Sequence, residues 1–485
     1  MNLDKDLRSV QEVRDLLKAA VQAQRILATL SQDQIDRIVA AMAQAARENA
    51  KRLGAMACEE TGFGLVSDKE IKNRFAAETL YEAIRAEQTV GILRRDHEKK
   101  IIDIAVPVGV VAALVPSTNP TSTVIYKALI CLKAGNPVIF SPHPSALNCI
   151  VETVNILRRA AEGAGAPAGS IGVITTPTME ATRELMSNRS TRLILATGGG
   201  AMVRAAYSSG TPAIGVGAGN GPAYIHKSAD PALAVKRILG SKTFDNGTIC
   251  ASEQSIVITK EMEPAVTREL ERQGAHILSP EQNQTLSKFI LRPGGTMNPA
   301  IVGKSVSTLV KLAGLSGVPA TARVLVARET GVGKDHPYSN EKLGLILAYY
   351  VEPDEDAVLR RCVELLEWEG VGHTFSIHAE DETVVNKFSA VIPASRVLVN
   401  TPSALGGIGA TTCLFPALTL GCGTVGGSAS SNNIGPWDLI NIKRVAWGVR
   451  EKDELFSAEN IVPASSMDDK TLEELVRQMI HSLMK

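Results

Sequence analysis

The chain has 485 residues, 45% of them hydrophobic and 21% charged, and its 51 Lys+Arg balance its 51 Asp+Glu. That length implies two or three domains with sizeable cores, and the even charge excludes wholesale binding to nucleic acid or to an anionic membrane surface. Its 7 cysteines are scattered with no Cys-x-x-Cys pair, which excludes a disulfide framework and a Cys-rich zinc site and predicts a reduced, intracellular protein. The N-terminus (MNLDKD) has no apolar core, and no segment reaches the about 18 uncharged apolar residues of a membrane span. A cytoplasmic location is expected.

From residue 8 to about 85 the apolar positions, such as Val10, Val13, Leu17 and Val21, then Ile35, Ile38 and Met42, repeat at helical spacing. Consecutive amphipathic helices are predicted there. Residues 89–106 read as two strands around a charged turn, either an arm that pairs with another subunit or an edge hairpin of the same domain. Strand and helix then alternate: Val108 to Val115, a helix over Val124 to Lys133, Pro137 to Phe140, a helix over Ala146 to Ala161, Ile171 to Thr175, a helix over Met179 to Met186, and Arg192 to Ala196. Short uninterrupted apolar strands separated by helices indicate a parallel sheet covered on both faces. A second alternating region spans about 231 to 425, with strands near 255–259, 323–327, 345–350, 374–378 and 397–399. Two α/β domains follow as the simplest account. Residues 456–466 read as a linker. In 467–485, Leu472, Leu475, Val476, Met479, Ile480, Leu483 and Met484 share one face of an amphipathic helix. That helix either docks on its own domain or serves as a detachable peptide for a partner groove.

Cys250 is the strongest chemical candidate. It follows Asp245, Asn246, Gly247 and Thr248, which are turn and loop formers, and precedes the apolar run Ser255 to Ile258. A thiol on such a loop has the access that a nucleophile needs. Gly421 to Gly426 spells G-x-G-x-x-G but opens no clear helix, and Gly333-Lys334 lacks the remaining glycine of a phosphate loop. The 8 histidines include no His-Glu-x-x-His pair, so no metal is expected. Three further segments fall at carboxyl ends of predicted parallel strands, where open α/β sheets bind ligands: Pro116 to Thr121, Ser141 to Ser145, and Ala196 to Gly200.

Taken in order, Asn119-Pro120, FSPHP, TGGG, FDNGTICASEQS, Glu341-Lys342, Gly372-His373-Thr374 and TLGCGTVGGSASSN resemble the aldehyde dehydrogenase superfamily, and within it the CoA-acylating branch, over roughly residues 8 to 450. The resemblance implies an NAD-binding domain over 1–88 and 107–230, and a catalytic domain over 231–435. It also implies an oligomerisation arm from 89–106 and 436–455 in a homodimer or homotetramer. Cys250 would add to an aldehyde, and the Asn119 amide with the Cys250 N–H would hold the oxyanion. Thr118, Ser141, His143, Thr197, Gly198, Gly199, Gly217 and Glu341 would hold the cofactor, with Glu341 on the nicotinamide ribose. Hydrolytic relatives have Lys where this chain has His143, which leaves NAD against NADP open. His373 matches a family His at the CoA step.

Hydrolytic members also carry a general-base Glu roughly 30 residues before the nucleophile, where this chain reads Gly215-Val216-Gly217-Ala218-Gly219-Asn220-Gly221. With no carboxylate there to activate water, the acyl group is expected to pass to coenzyme A. The implied substrate is acetaldehyde or propionaldehyde. The competing readings are a charged aldehyde such as sulfoacetaldehyde or succinate semialdehyde, a hydrolytic enzyme, and a non-catalytic scaffold. The tail at 467–485 resembles peptides that dock such enzymes to shell or cargo proteins of bacterial microcompartments.

Overall fold

A computed structural model describes residues 4–292, 295–455 and Glu474. The expected linker and tail helix over 456–485 therefore lie outside the described residues, apart from Glu474. The described residues divide into two compact units, one from residues up to 91 with 105–441, and one from 92–104 with residues from 442 onward.

Fifteen strands occur among the described residues. They are β1 (Gly91–Asp96), β2 (Ile101–Pro107), β3 (Val110–Val115), β4 (Val138–Pro142), β5 (Ile171–Val173), β6 (Thr191–Thr197), β7 (Ala213–Val216), β8 (Pro222–Ile225), β9 (Ser255–Thr259), β10 (Ala275–Ile277), β11 (Val324–Arg328), β12 (Ile346–Glu352), β13 (Gly372–His378), β14 (Ala394–Val399) and β15 (Ile440–Ala446). Two wholly parallel sheets make up the larger unit, one of order β5-β4-β3-β6-β7 and one of order β10-β11-β12-β9-β8-β13-β14.

The first sheet is buried on both faces, as its apolar strands require. One face meets Pro120–Lys133, a helix with every residue buried, and beyond it the long helix Gln32–Thr61. The other face packs on Lys5–Leu27 and Met179–Ser187. Gln32–Thr61 starts at a reciprocal cap, in which Ser31 Oγ accepts from the Gln34 N–H and the Gln34 amide oxygen accepts from the Ser31 N–H. The second sheet is likewise packed on two faces. Among the described residues no helix is long and apolar enough to cross a membrane.

One expected boundary moves. The second sheet takes in β8, so the change of sheet falls between Val216 and Pro222 rather than at 230. The reason is that β7 and β8 have 4 residues each and sit in a Gly-rich stretch whose composition reads as loop. In the smaller unit, β1, β2 and β15 form a three-stranded sheet. Asp103 on β2 bonds Arg94 of β1 at 3.2 Å and Arg444 of β15 at 3.3 Å.

Candidate active site

The carboxyl ends of β3, β4, β6 and β7 open into a cavity of about 520 Å³. Cys250, Asn119, Thr118, Ser141, His143, Thr197, Gly198, Gly199, Gly217 and Glu341 all line it, so the structure brings together every expected site residue except His373. Apolar side chains that the sequence did not single out complete the wall, among them Met179, Met202, Ile249, Ile408, Leu418 and Leu420.

The Cys250 loop has an unusual backbone. Asp245, Asn246 and Gly247 are three consecutive left-handed residues, with φ of 49°, 52° and 77°. Asp, Asn and Gly are the residue types that tolerate this region, whereas other side chains lose roughly 1–2 kcal/mol per residue there. The turn is fastened from inside. Asp245 is fully buried and its carboxylate accepts from Lys69 Nζ at 2.9 Å, from Lys72 Nζ, from Thr248 Oγ1 at 2.7 Å and from the Leu65 N–H at 2.8 Å. Gly64 stands so close that an added Cβ would lie 1.8 Å from Asp245 Oδ1. Lys69 and Lys72 are one turn apart on the helix Val66–Arg74, and both side chains are buried.

This cluster reaches Asn119. Lys72 Nζ donates to Asn119 Oδ1 at 2.6 Å and to Thr248 Oγ1 at 3.0 Å, while Lys69 Nζ donates to the Thr118 carbonyl at 2.9 Å. The Asn119 amide N–H in turn donates to the Thr248 carbonyl at 3.0 Å. Burial lowers the Lys72 ammonium to about 8 against the pull of Asp245, so it is mostly charged at neutral pH. The sequence offered one faint signal for it, two lysines three apart on a predicted helix.

Cys250 is half-buried. Burial first, and then nearby Glu341, push its thiol up to about 12. Glu341 is itself raised to about 8 by burial and by Glu369, which accepts the Glu341 N–H at 2.6 Å. Its carboxylate is not free in the cavity, because Oε1 accepts the Gly219 N–H at 2.8 Å. Gly219 in turn lies against Cys250: an added Cβ would be 1.9 Å from the Cys250 carbonyl oxygen and 3.2 Å from His373 Cε1. The Cys250 N–H is not spent on another backbone carbonyl among the described residues.

His373 departs from expectation. It is fully buried on β13 beside Gly219, with Nδ1 bonded to Thr374 Oγ1 at 2.9 Å and Nε2 unpartnered among the described residues. Burial and then Arg396 pull it down to about 3, which leaves a neutral ring at neutral pH.

The other end of the cavity suits a dinucleotide. Gly199 precedes the helix Gly200–Tyr207, and an added Cβ at Gly199 or Gly217 would meet nothing within 4 Å. Helix-start N–H groups and bare glycine backbone favour close approach of a pyrophosphate. His143 is exposed and uses Nδ1 to bond Ser145 Oγ at 2.8 Å. No group of three or more His, Cys, Asp or Glu is placed to hold a metal among the described residues.

The model of the aldehyde dehydrogenase family matches residues 6–285. The chain belongs to the aldehyde dehydrogenase family. Among solved aldehyde dehydrogenases, it is 58% identical to a probable aldehyde dehydrogenase from Listeria monocytogenes, with a TM-score of 0.92 over 93% of this chain and 100% of that one. It is 52% identical to an acetylating aldehyde dehydrogenase from Geobacillus thermoglucosidasius, with a TM-score of 0.91 over 93% and 99%. It is also 43% identical to the bifunctional aldehyde-alcohol dehydrogenase AdhE of Escherichia coli over 90% of this chain and 50% of that protein. The chain thus spans about half the length of that curated relative.

Two outcomes follow from the geometry. Gly219→Ala drives a methyl into the Cys250 backbone, and the kcat of aldehyde oxidation is expected to fall by at least about 10²-fold, as for a displaced reacting group, in steady-state assays. Alkylation of Cys250 by iodoacetamide in the cofactor-free enzyme should be slow at pH 7 and rise with pH through pH 10, with a slope below tenfold per unit near pH 8, where Glu341 ionises. Removing the Glu341 charge lowers the thiol pKa, but that charge is present only above about pH 8. Glu341→Gln should therefore speed alkylation at pH 9–10 and leave it unchanged at pH 6.

Proposed function

We propose that the chain is a CoA-acylating aldehyde dehydrogenase acting on a short uncharged aldehyde, acetaldehyde foremost, with NAD and coenzyme A. The observation that carries the reading is the wall beside Cys250. Val216, Gly217 and Ala218 line it without a carboxylate, and the single carboxylate among the described lining residues, Glu341, is bonded to the Gly219 N–H. Water has no committed base there, so an acyl group on Cys250 waits for a thiol. The acetylating relative from Geobacillus thermoglucosidasius supports the same reading.

In the mechanism, the Cys250 thiol gives up its proton to solvent, the sulfur adds to the aldehyde carbonyl, and the new oxyanion is held by the Asn119 amide and the Cys250 N–H. Thr197, Gly198, Gly199 and Gly217 would hold the dinucleotide's phosphates, Thr118, Ser141 and His143 its adenosine side, and Glu341 its nicotinamide ribose. When bound, NAD supplies the hydride acceptor. Loss of hydride from the thiohemiacetal leaves a thioester on Cys250, and the CoA thiol then takes the acyl group, returning the Cys250 thiol. His373 stands behind Gly219 and outside the cavity lining, with a ring that burial makes a weak base, so the CoA proton is returned directly to the Cys250 sulfur.

Two features narrow the ligands. Lys72 is the single Lys or Arg among the described lining residues, and it is committed to Asp245, Asn119 and Thr248. No cation is left to pair with a sulfonate or a distal carboxylate, which favours an uncharged aldehyde, or with a 2′-phosphate, which favours NAD over NADP. Partial desolvation by its neighbours, despite the exposed side chain, lowers the pKa of His143 below the ordinary imidazole value, which weakens it as a cation for a phosphate.

The edge strand β15 exposes Ile442 and Val445, and Trp447 and Val449 follow it, the kind of apolar edge that another copy of the chain covers in a homo-oligomer. The amphipathic pattern of 467–485 supports a role as a peptide that docks the enzyme to shell or cargo proteins of a bacterial microcompartment.

NADH formation from acetaldehyde is expected to depend strongly on CoA and to disappear in Cys250→Ala. Strong turnover without CoA, with acetate as product, would overturn the acylating reading. Deleting 467–485 should leave activity unchanged and abolish co-purification with shell proteins, whereas a large loss of activity would mark a helix docked on its own domain.

A further inference from the structure

We propose that Lys72 is a positioning residue for aldehyde addition, one that fixes the Asn119 amide with its N–H groups toward the Cys250 loop and sets a buried positive charge behind the oxyanion. The inference rests on the aldehyde-oxidising function proposed above.

Asn119 alone does not define an oxyanion donor. A side-chain amide can flip, and the flipped form would turn an acceptor oxygen toward the reacting centre. The ammonium of Lys72 removes that freedom. It can only donate, and it lies 2.6 Å from one end of the amide, which must therefore be Oδ1. Nδ2 is then left to face Thr248, two residues before the nucleophile, where it donates to the carbonyl at 3.0 Å. Its second N–H has only a long contact, 3.3 Å to Thr118 Oγ1, which a developing oxyanion can displace.

The position of the charge points the same way. Lys69 and Lys72 share one fully buried carboxylate, Asp245, and half-buried Asp68, which accepts the Asp245 N–H at 2.7 Å, adds a second negative charge to the cluster. The Lys72 ammonium becomes useful when negative charge develops on the other side of Asn119, since a preorganised donor in a low-dielectric site needs no reorganisation at the moment of reaction. The two lysines are not equivalent in this. Lys69 bonds Asp245 and the Thr118 carbonyl, and only Lys72 touches the Asn119 side chain.

A role exerted through Asn119 differs measurably from a purely structural one. The test is a double-mutant cycle on NADH formation from acetaldehyde, NAD and CoA, comparing the full-length wild type, Asn119→Ala, Lys72→Met and the double variant. Asn119→Ala should lower kcat by about 10²–10³-fold, as for loss of one oxyanion donor. Lys72→Met should lower it by about 10–10²-fold with KM for both acetaldehyde and NAD within about threefold of wild type. The double variant should be no slower than Asn119→Ala within about twofold, because Lys72 has nothing left to act through. Where Met at 72 prevents folding, Lys72→Gln carries the same cycle, keeping a donor and removing the charge. Losses that multiply in the double variant, or a folded Lys72 variant with wild-type kcat, overturn the proposal while leaving the enzyme's function standing. A wild type with no aldehyde-dependent NADH formation overturns the functional reading beneath it, and this proposal with it.

Discussion

The buried carboxylate of Asp245 is the constraint on which the reaction centre is built. It ties together the helix Val66–Arg74, the loop at Gly64 and Leu65, and the left-handed turn that leads to Cys250. Each tie spans roughly 175 residues of sequence, the Lys69 bond covering 176 and the Lys72 bond 173. Without the two ammonium groups Asp245 would be a bare buried anion, and without Asp245 they would be bare buried cations. Breaking a buried pair of this kind costs several kcal/mol, about 3–5 in typical cases. The N-terminal helices therefore do more than cover the first sheet, since one of them supplies the groups that hold the Cys250 loop and the Asn119 side chain in place.

The groups around Cys250 hold its sulfur in the neutral form. Burial pushes the thiol up to about 12, and the Glu341 side chain, itself raised to about 8 and mostly uncharged at neutral pH, is bonded to the Gly219 N–H. This also limits side reactions of an exposed thiolate, whose oxidation would otherwise follow its access.

Much of this was legible from residue patterns. The parallel strands declared themselves as short apolar runs, and β3, β4, β6, β9, β11, β12, β13 and β14 all fall on or within a few residues of expected segments. The strands not named in advance are β7, β8 and β10, of 3 or 4 residues beside glycine, and β15, which lay within the arm expected over 436–455; the equally short β5 was expected because its apolar residues open a longer run, Ile171 to Thr175. At the site, eight of the ten named lining residues converge because they sit at or just after the carboxyl ends of β3, β4, β6 and β7, a rule of topology that needs no coordinates, whereas Cys250 and Glu341 come from the segments that precede β9 and β12. Lys72 and Asp245 were not recognisable, because a buried lysine on an amphipathic helix reads as solvated until its distant partner is placed. His373 was identified as a residue of interest, but its enclosure behind Gly219 depends on backbone packing that spacing cannot express.

The pairing of β8 with β9 has a consequence for how the family changes its product. These strands are hydrogen-bonded neighbours, with Pro222 opposite Ser255, and their preceding loops carry Gly217, Ala218 and Cys250 into one cavity. A strand with both faces packed cannot slip by one residue without inverting its core side chains. The separation between Cys250 and the 217–218 segment is therefore anchored by sheet register rather than left to loop flexibility. On the acylating reading proposed above, acid and acyl thioester become two readings of a single address on an unchanged scaffold, reached by rewriting side chains without remodelling the chain.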